Sequence, residues 1–386
     1  MTGSILVLGA GLQGSACAYD LALREGFEVT LADRDEKLVE RALSELGPAH
    51  ERVHGAALDV ADREAVRKLM SEHHAVVSGV PYFLNPALAE DAVESGASFT
   101  DMGGNTDLVL QELALDTRAR ARGVSIVPDM GLAPGLANLL AVDAMQRFEK
   151  VDSVAIRVGG LPLEPKPPLG YMMLFSMHGL INEYWGEALV LEDGEVKKVP
   201  TFSVLEELEV PGVGALEAFP TSGGISTLPM TYRGKVRTMD YKTLRYPGHY
   251  ARMRCIKELG LLDETPIDVP GGRVKPRDVF AACAEPRLTH PGARDRSVVI
   301  VFVEGERGGQ RERLVRWIVD EHDAESGHSS MRRTTAYPVS IVSAMQARGE
   351  IPPGAQPAEI AVPCAAFVAR LALRSIQVHE ASSVLA

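Results

Sequence analysis

The residues of this chain most suited to chemistry begin with Gly9-Ala10-Gly11-Leu12-Gln13-Gly14. This turn follows the apolar run Ser4–Leu8 and precedes a helix-forming stretch, Ser15–Arg24. A second apolar run, Phe27–Asp33, closes on an acid about 20 residues after the turn. A Gly-x-Gly-x-x-Gly pattern alone is weak, but strand, turn, helix and terminal acid together form the context of a dinucleotide site. Gly9 lets the chain leave the strand tightly, Gly11 admits a pyrophosphate to the backbone, and Gly14 lets the helix approach the sheet. The helix N-terminus offers N–H groups and a partial positive charge. Asp33 is suited to accept both adenosine ribose hydroxyls, which favours NAD, while the adjacent Arg34 leaves NADP open. Further cofactor contacts are expected from Asp59 and Val60 beside the adenine. Gly79, Val80, Pro81 and Tyr82, after a later strand, are expected to add to them.

The elements that must position these residues alternate. Strand-like runs at 53–60, 75–80, 98–101 and 124–127 are separated by helical stretches at 36–46, 64–71, 85–95 and 107–122. This predicts an α/β fold with a doubly wound parallel sheet. After Asp129 a loop and a helix (136–147) lead to a different rhythm. Strand-like runs at 154–158, 188–191, 195–199, 236–241, 298–303 and 313–319, with a hairpin turn at 304–310, predict a second, α+β domain with a mixed or antiparallel sheet. Helices at 334–347 and 364–375 end the chain. The expected division is a dinucleotide domain at 1–130, a substrate and oligomerisation domain at 131–330, and C-terminal helices at 331–386 that return to the first domain.

Composition bounds the remainder. A length of 386 residues suits two domains. The net charge of −12 and the lack of a basic run argue against a nucleic-acid surface. No apolar run reaches membrane-spanning length. Cys17, Cys255, Cys283 and Cys364 are scattered without metal spacing, and the chain enters a strand at once, so a reducing cytoplasm and no signal peptide are expected. Glu72-His73-His74 lacks the i, i+4 spacing of helical ligands, and no metal site is expected.

The chain resembles the saccharopine dehydrogenase-like superfamily over nearly its whole length. The marks are the opening glycine turn, Val77–Tyr82, Thr100–Gly104, the Pro128–Gly135 loop, Pro168–Tyr171, Phe175-Ser176, Thr243–Tyr246 and Val274–Asp278. It looks most like the L-lysine 6-dehydrogenase branch, which oxidises the ε-amine carbon of free lysine with NAD; the aldehyde cyclises to piperideine-6-carboxylate. Three features favour this branch: Ala133 before Pro134, where saccharopine reductases typically carry Asp; His178, where they typically carry Arg; and the Thr221–Leu228 and Gly248-His249 segments. The resemblance implies a small amino-acid substrate and a homodimer or larger oligomer. A saccharopine-type or opine-like oxidoreductase and a non-catalytic dinucleotide sensor are the alternatives.

Amine oxidation requires loss of the ammonium proton, from a group whose free pKa is about 10.4, and a carbon held at near-attack distance. Asp101, His249 and His178 are the candidate catalytic residues; Asp129, also weighed as a base, is expected only to hold its loop. Arg245 is the expected carboxylate anchor, since it can grip a carboxylate with two parallel bonds; the competing role is a structural ion pair. Thr221, Ser222 and Gly223 would add donors. Tyr171, Phe175 and Ser176 would wall the substrate stem, against the alternative of ordinary core packing.

Overall fold

A computed structural model of the chain describes residues 3–385. It divides into two compact units, one of residues 1–146, 226–228 and 332–377, the other of residues 147–225, 229–331 and 378–386. The first unit therefore continues through the helix Leu136–Met145, whose ten residues are all buried, far too apolar for a solvated linker.

In the first unit, β1 (Ser4–Leu8), α1 (Leu12–Leu23), β2 (Glu28–Asp33), β3 (Val53–Ala57), β4 (Ala75–Ser78), β5 (Ser98–Asp101) and β6 (Ser125–Val127) follow the predicted alternation. The short strand Gly354–Ala355 completes a seven-stranded sheet in the order 354–355, β6, β5, β4, β1, β2, β3. Every pairing is parallel. The order reverses between β1 and β4, which opens a crevice at their carboxyl ends. The small residues Gly14, Ser15, Ala16 and Ala18 of α1 are all buried. The expected single helix at 107–122 is two, Thr106–Leu113 and Asp116–Arg122. Asp116 starts the second, and its carboxylate accepts from the Ala355 amide (3.0 Å), which ties this helix to the edge strand. The C-terminal helices are held to α1 by Arg374, which donates to both carboxylate oxygens of the fully buried Asp20 (2.8 and 2.7 Å) and to Glu25 (2.7 Å).

The second unit is a nine-stranded mixed sheet. Its long strands are β7 (Lys150–Pro162), Thr238–Arg245, Asp295–Arg307 and Gln310–Glu321. Strand β7 pairs in parallel with Thr238–Arg245 and antiparallel with Asp295–Arg307. The hairpin between the last two long strands turns on Gly308-Gly309 alone, both at positive φ, rather than over the predicted 304–310. Charged residues there suggested a loop, but Glu304 and Arg313 are cross-strand partners within the ladder (2.7 Å). Among the described residues no helix is long and apolar enough to cross a membrane.

Candidate active site

The glycine turn behaves as its spacing implies. Gly9 adopts φ +98°, and a Cβ there would lie 2.8 Å from the Gly79 carbonyl oxygen. A Cβ on Gly14 would fall 1.8 Å from the Gly9 oxygen, so only glycine allows the helix to start there. A Cβ on Gly11 would meet nothing within 4 Å, which leaves the backbone open on that side. Gly11 caps α1 without a side-chain acceptor, so first-turn N–H groups near Leu12 and Gln13 remain for an anion. Gly79 closes the other side of the crevice, its N–H bonded to the Leu8 oxygen (2.7 Å). Val80 and Tyr82 are half-buried and Pro81 exposed beside it.

Asp33 ends β2 with its carboxylate fixed, one oxygen accepting from the Ala10 amide (2.9 Å) and the other from the Asp35 amide (3.0 Å). Each oxygen keeps a lone pair for a ribose hydroxyl. Arg34, Asp35, Lys37 and Asp59 line an open groove at the same edge; Val60, half-buried, follows Asp59. These residues fit an adenine dinucleotide. Arg332, distant in the chain and without a local motif to mark it, donates to the Leu12 carbonyl and the Ser15 hydroxyl (both 2.7 Å) at the head of α1.

Beside this crevice, at the carboxyl ends of β5 and β6, lies a group of buried acids. Asp101, Glu112 and Asp129 are at most 6% exposed. Asp101 accepts from the Gly103 amide (2.6 Å) and the Asp129 amide (3.3 Å). Asp129 sits at φ +65°, a conformation that few non-glycine residues adopt, held there by its amide's bond to Asp101 and by one from the Ser226 hydroxyl to its carboxylate. Burial raises the Asp101 carboxyl above its ordinary range, and pushes Glu112 up to about 12, with the Asp101 charge adding to the effect. Asp129 is pushed up to about 7 by burial and by Asp101. Glu112 was not anticipated, because a Glu in an amphipathic helix ordinarily faces solvent.

The second unit gathers the other candidates around Arg245, at the end of Thr238–Arg245 and 3% exposed. Its Nε donates to the Tyr184 hydroxyl (2.8 Å) and one Nη to the Leu244 carbonyl (2.9 Å). The guanidinium lies 5.0 Å from the Tyr171 ring centre. Tyr184 in turn bonds His249 Nε2 (2.8 Å), and His249 Nδ1 bonds the Leu169 carbonyl (3.0 Å). The directions are forced. Arginine only donates and a carbonyl only accepts, so His249 carries its proton on Nδ1 and accepts the Tyr184 proton at Nε2. Burial and Arg245 push His249 down to about 3. With both nitrogens engaged and no exposed surface, His249 is a structural relay, which corrects its expected role as a base. Glu217 fixes its position by accepting from the Gly248 and Tyr250 amides (2.6 and 3.0 Å) at the head of the helix His249–Glu258.

The remaining residues separate. His178 is exposed on the first turn of the helix Met177–Tyr184, which Ser176 caps by accepting from the Gly179 amide (3.0 Å). Tyr171 is core and Phe175 packs against it. Thr221 is spent on Thr243 (2.6 Å), whereas Ser222 donates to the Asn182 carbonyl (2.8 Å) and Gly223 is exposed. Among the described residues no His, Cys, Asp and Glu group is arranged to hold a metal ion.

A doubly wound sheet with a glycine turn at its crevice and an acid closing β2 has the form of a dinucleotide-binding domain, and a mixed-sheet unit accompanies it. Two family models fit it: the saccharopine dehydrogenase NADP binding domain over residues 5–127 and the saccharopine dehydrogenase C-terminal domain over residues 131–376. The chain belongs to the saccharopine dehydrogenase family. It is 26% identical over 273 residues to the saccharopine dehydrogenase [NADP(+), L-glutamate-forming] of Schizosaccharomyces pombe, an alignment that covers 68% of this chain and 59% of the relative. Carboxynorspermidine synthase of Vibrio alginolyticus is 21% identical over 371 residues, 89% of this chain and 88% of that one. The apo saccharopine dehydrogenase (L-Glu forming) from Saccharomyces cerevisiae superposes with a TM-score of 0.81 at 21% identity, covering 99% and 100% of the two chains, and shares the fold.

Proposed function

We propose that this chain is an NAD-dependent amino-acid oxidoreductase that oxidises the ε-amine carbon of L-lysine, the aldehyde cyclising to piperideine-6-carboxylate. One observation carries the proposal. Asp129, buried at the carboxyl end of the sheet that bears the glycine turn, is pushed up to about 7, a value suited to a general base near neutrality. The ionised Asp129 carboxylate takes the ammonium proton and becomes the neutral acid, freeing the nitrogen lone pair; Asp101 holds Asp129 in place through the Asp129 amide. The bound dinucleotide supplies the hydride acceptor. The ε-carbon gives up hydride and becomes an iminium, which water converts to aldehyde and ammonia. Arg245 is assigned the substrate carboxylate. Asp33, by its charge, favours NAD over a 2′-phosphorylated cofactor.

A saccharopine-type reaction is the second reading, supported by the printed activities of the relatives. Reduction of NAD followed at the absorbance of the reduced cofactor separates them. Reduction with L-lysine alone supports the first. Reduction only with saccharopine, or oxidation of reduced cofactor only with glutamate and an aldehyde, replaces it with the second. Cofactor binding without turnover leaves a sensor.

A further inference from the structure

The ion pair of Arg245 with Glu183 is lopsided. The Arg245 side chain is 4% exposed and that of Glu183 36%, so the acid is the partner presented outward. The two approach at 3.6 Å, too far for a direct hydrogen bond, and Arg245 spends donors on Tyr184 and Leu244 instead. Among the described residues nothing donates a hydrogen bond to the Glu183 carboxylate. Glu183 also occupies the last turn of the helix Met177–Tyr184, the end where the helix dipole disfavours a negative charge. Ser222 nevertheless fixes that turn, its amide bonding the Glu183 carbonyl (2.8 Å) and its hydroxyl the Asn182 carbonyl (2.8 Å). An acid built for stability would sit in hydrogen-bond contact with its arginine and away from a helix C-terminus.

We propose that Glu183 binds the non-reacting ammonium group of an amino-acid substrate. Burial pushes the Glu183 carboxyl up to about 7, and the Arg245 guanidinium 3.6 Å away opposes that shift and favours the carboxylate form. The Tyr171 and Tyr184 rings hold the Arg245 guanidinium itself, at 5.0 and 5.7 Å, and so fix the side of the pair that faces away from solvent. An ammonium brings three donors to a carboxylate that no protein group among the described residues engages by a hydrogen bond. A zwitterionic α-amino acid thus meets the pair with charges reversed, ammonium to Glu183 and carboxylate toward Arg245. This rests on the amino-acid reading of the function and deepens it.

The test is calorimetric binding of L-lysine and of 6-aminohexanoate, which lacks the α-ammonium, to the full chain with NADH. The wild type should prefer L-lysine. Glu183→Gln should weaken L-lysine by about tenfold or more, the scale of one charge-assisted bond, and leave 6-aminohexanoate within about twofold. Glu183→Asp, which retains the charge should Glu183→Gln fold poorly, should keep part of the preference. Equal loss for both ligands, or for neither, overturns the assignment. A wild type that binds saccharopine but not L-lysine refutes the lysine reading alone. Saccharopine also carries a free α-ammonium, so Glu183→Gln must then raise its KM about tenfold more than it lowers kcat, and an unchanged KM removes Glu183 from the site.

Discussion

Replacing Tyr184 by Phe isolates the relay that takes His249 out of the chemistry. The hydroxyl accepts from Arg245 Nε and donates to His249 Nε2, both at 2.8 Å, and all three side chains are buried. Removing one oxygen strands a donor and an acceptor where water does not reach. Each buried unsatisfied group costs about 1–3 kcal/mol, so the variant should lose about 2–6 kcal/mol. The ring itself stays packed against Phe202 and Phe219 (centres 5.2 and 5.9 Å apart), so little apolar burial is lost. Urea unfolding followed by tryptophan fluorescence suits this measurement, because Trp185 and Trp317 both lie in the second unit. A loss below about 0.5 kcal/mol, within the range of ordinary surface substitutions, would refute the closed relay and return His249 to the candidate bases.

Other outcomes follow from the same geometry. Asp33→Ala should weaken NADH binding about tenfold or more, the scale of a bond to a charged acceptor, and narrow any preference over NADPH; an unchanged ratio in a fluorescence titration removes Asp33 from the ribose. Arg374→Ala leaves Asp20 buried without its cation and should cost the first unit about 3–5 kcal/mol, read as loss of NADH binding at lower denaturant; an unchanged midpoint counts against the pair. Asp129 has a folded pKa raised to about 7 from 3.8, so the folded state holds a proton that the unfolded chain has released. Its contribution is therefore full stability below about pH 4, lost progressively as pH rises to about 7. Asp129→Asn should flatten that slope in a denaturation series; an unaltered slope assigns it elsewhere. Turnover should rise through about pH 7 as Asp129 ionises, and a rate independent of pH there argues against the acid group as base.

Local patterns made the first unit legible. Gly9, Gly11, Gly14 and Asp33 announce their geometry because the turn, the close approach and the strand end each demand a residue type. Asp101 was visible for the same reason, as an acid closing a short apolar strand. What stayed hidden depends on contacts distant in sequence. Glu112 and Arg332 look like solvated helix residues until the fold brings one to Asp101 and the other to Leu12. His249 looked like a base because its ordinary pKa suits one, and only the Tyr184 and Leu169 contacts reveal it as neutral and occupied. The helix Met177–Tyr184, which presents Glu183, leaves little trace in the sequence, being only two turns long with Gly179 in its first turn.

The central claim is hydride transfer from the lysine ε-carbon to NAD. Its most direct test is a reaction of the full chain with NAD and L-lysine deuterated at that carbon, followed by mass analysis of the reduced cofactor. The account predicts reduced cofactor one mass unit heavier, formed together with piperideine-6-carboxylate. Reduced cofactor without the label, or none with lysine while saccharopine is oxidised, would contradict it.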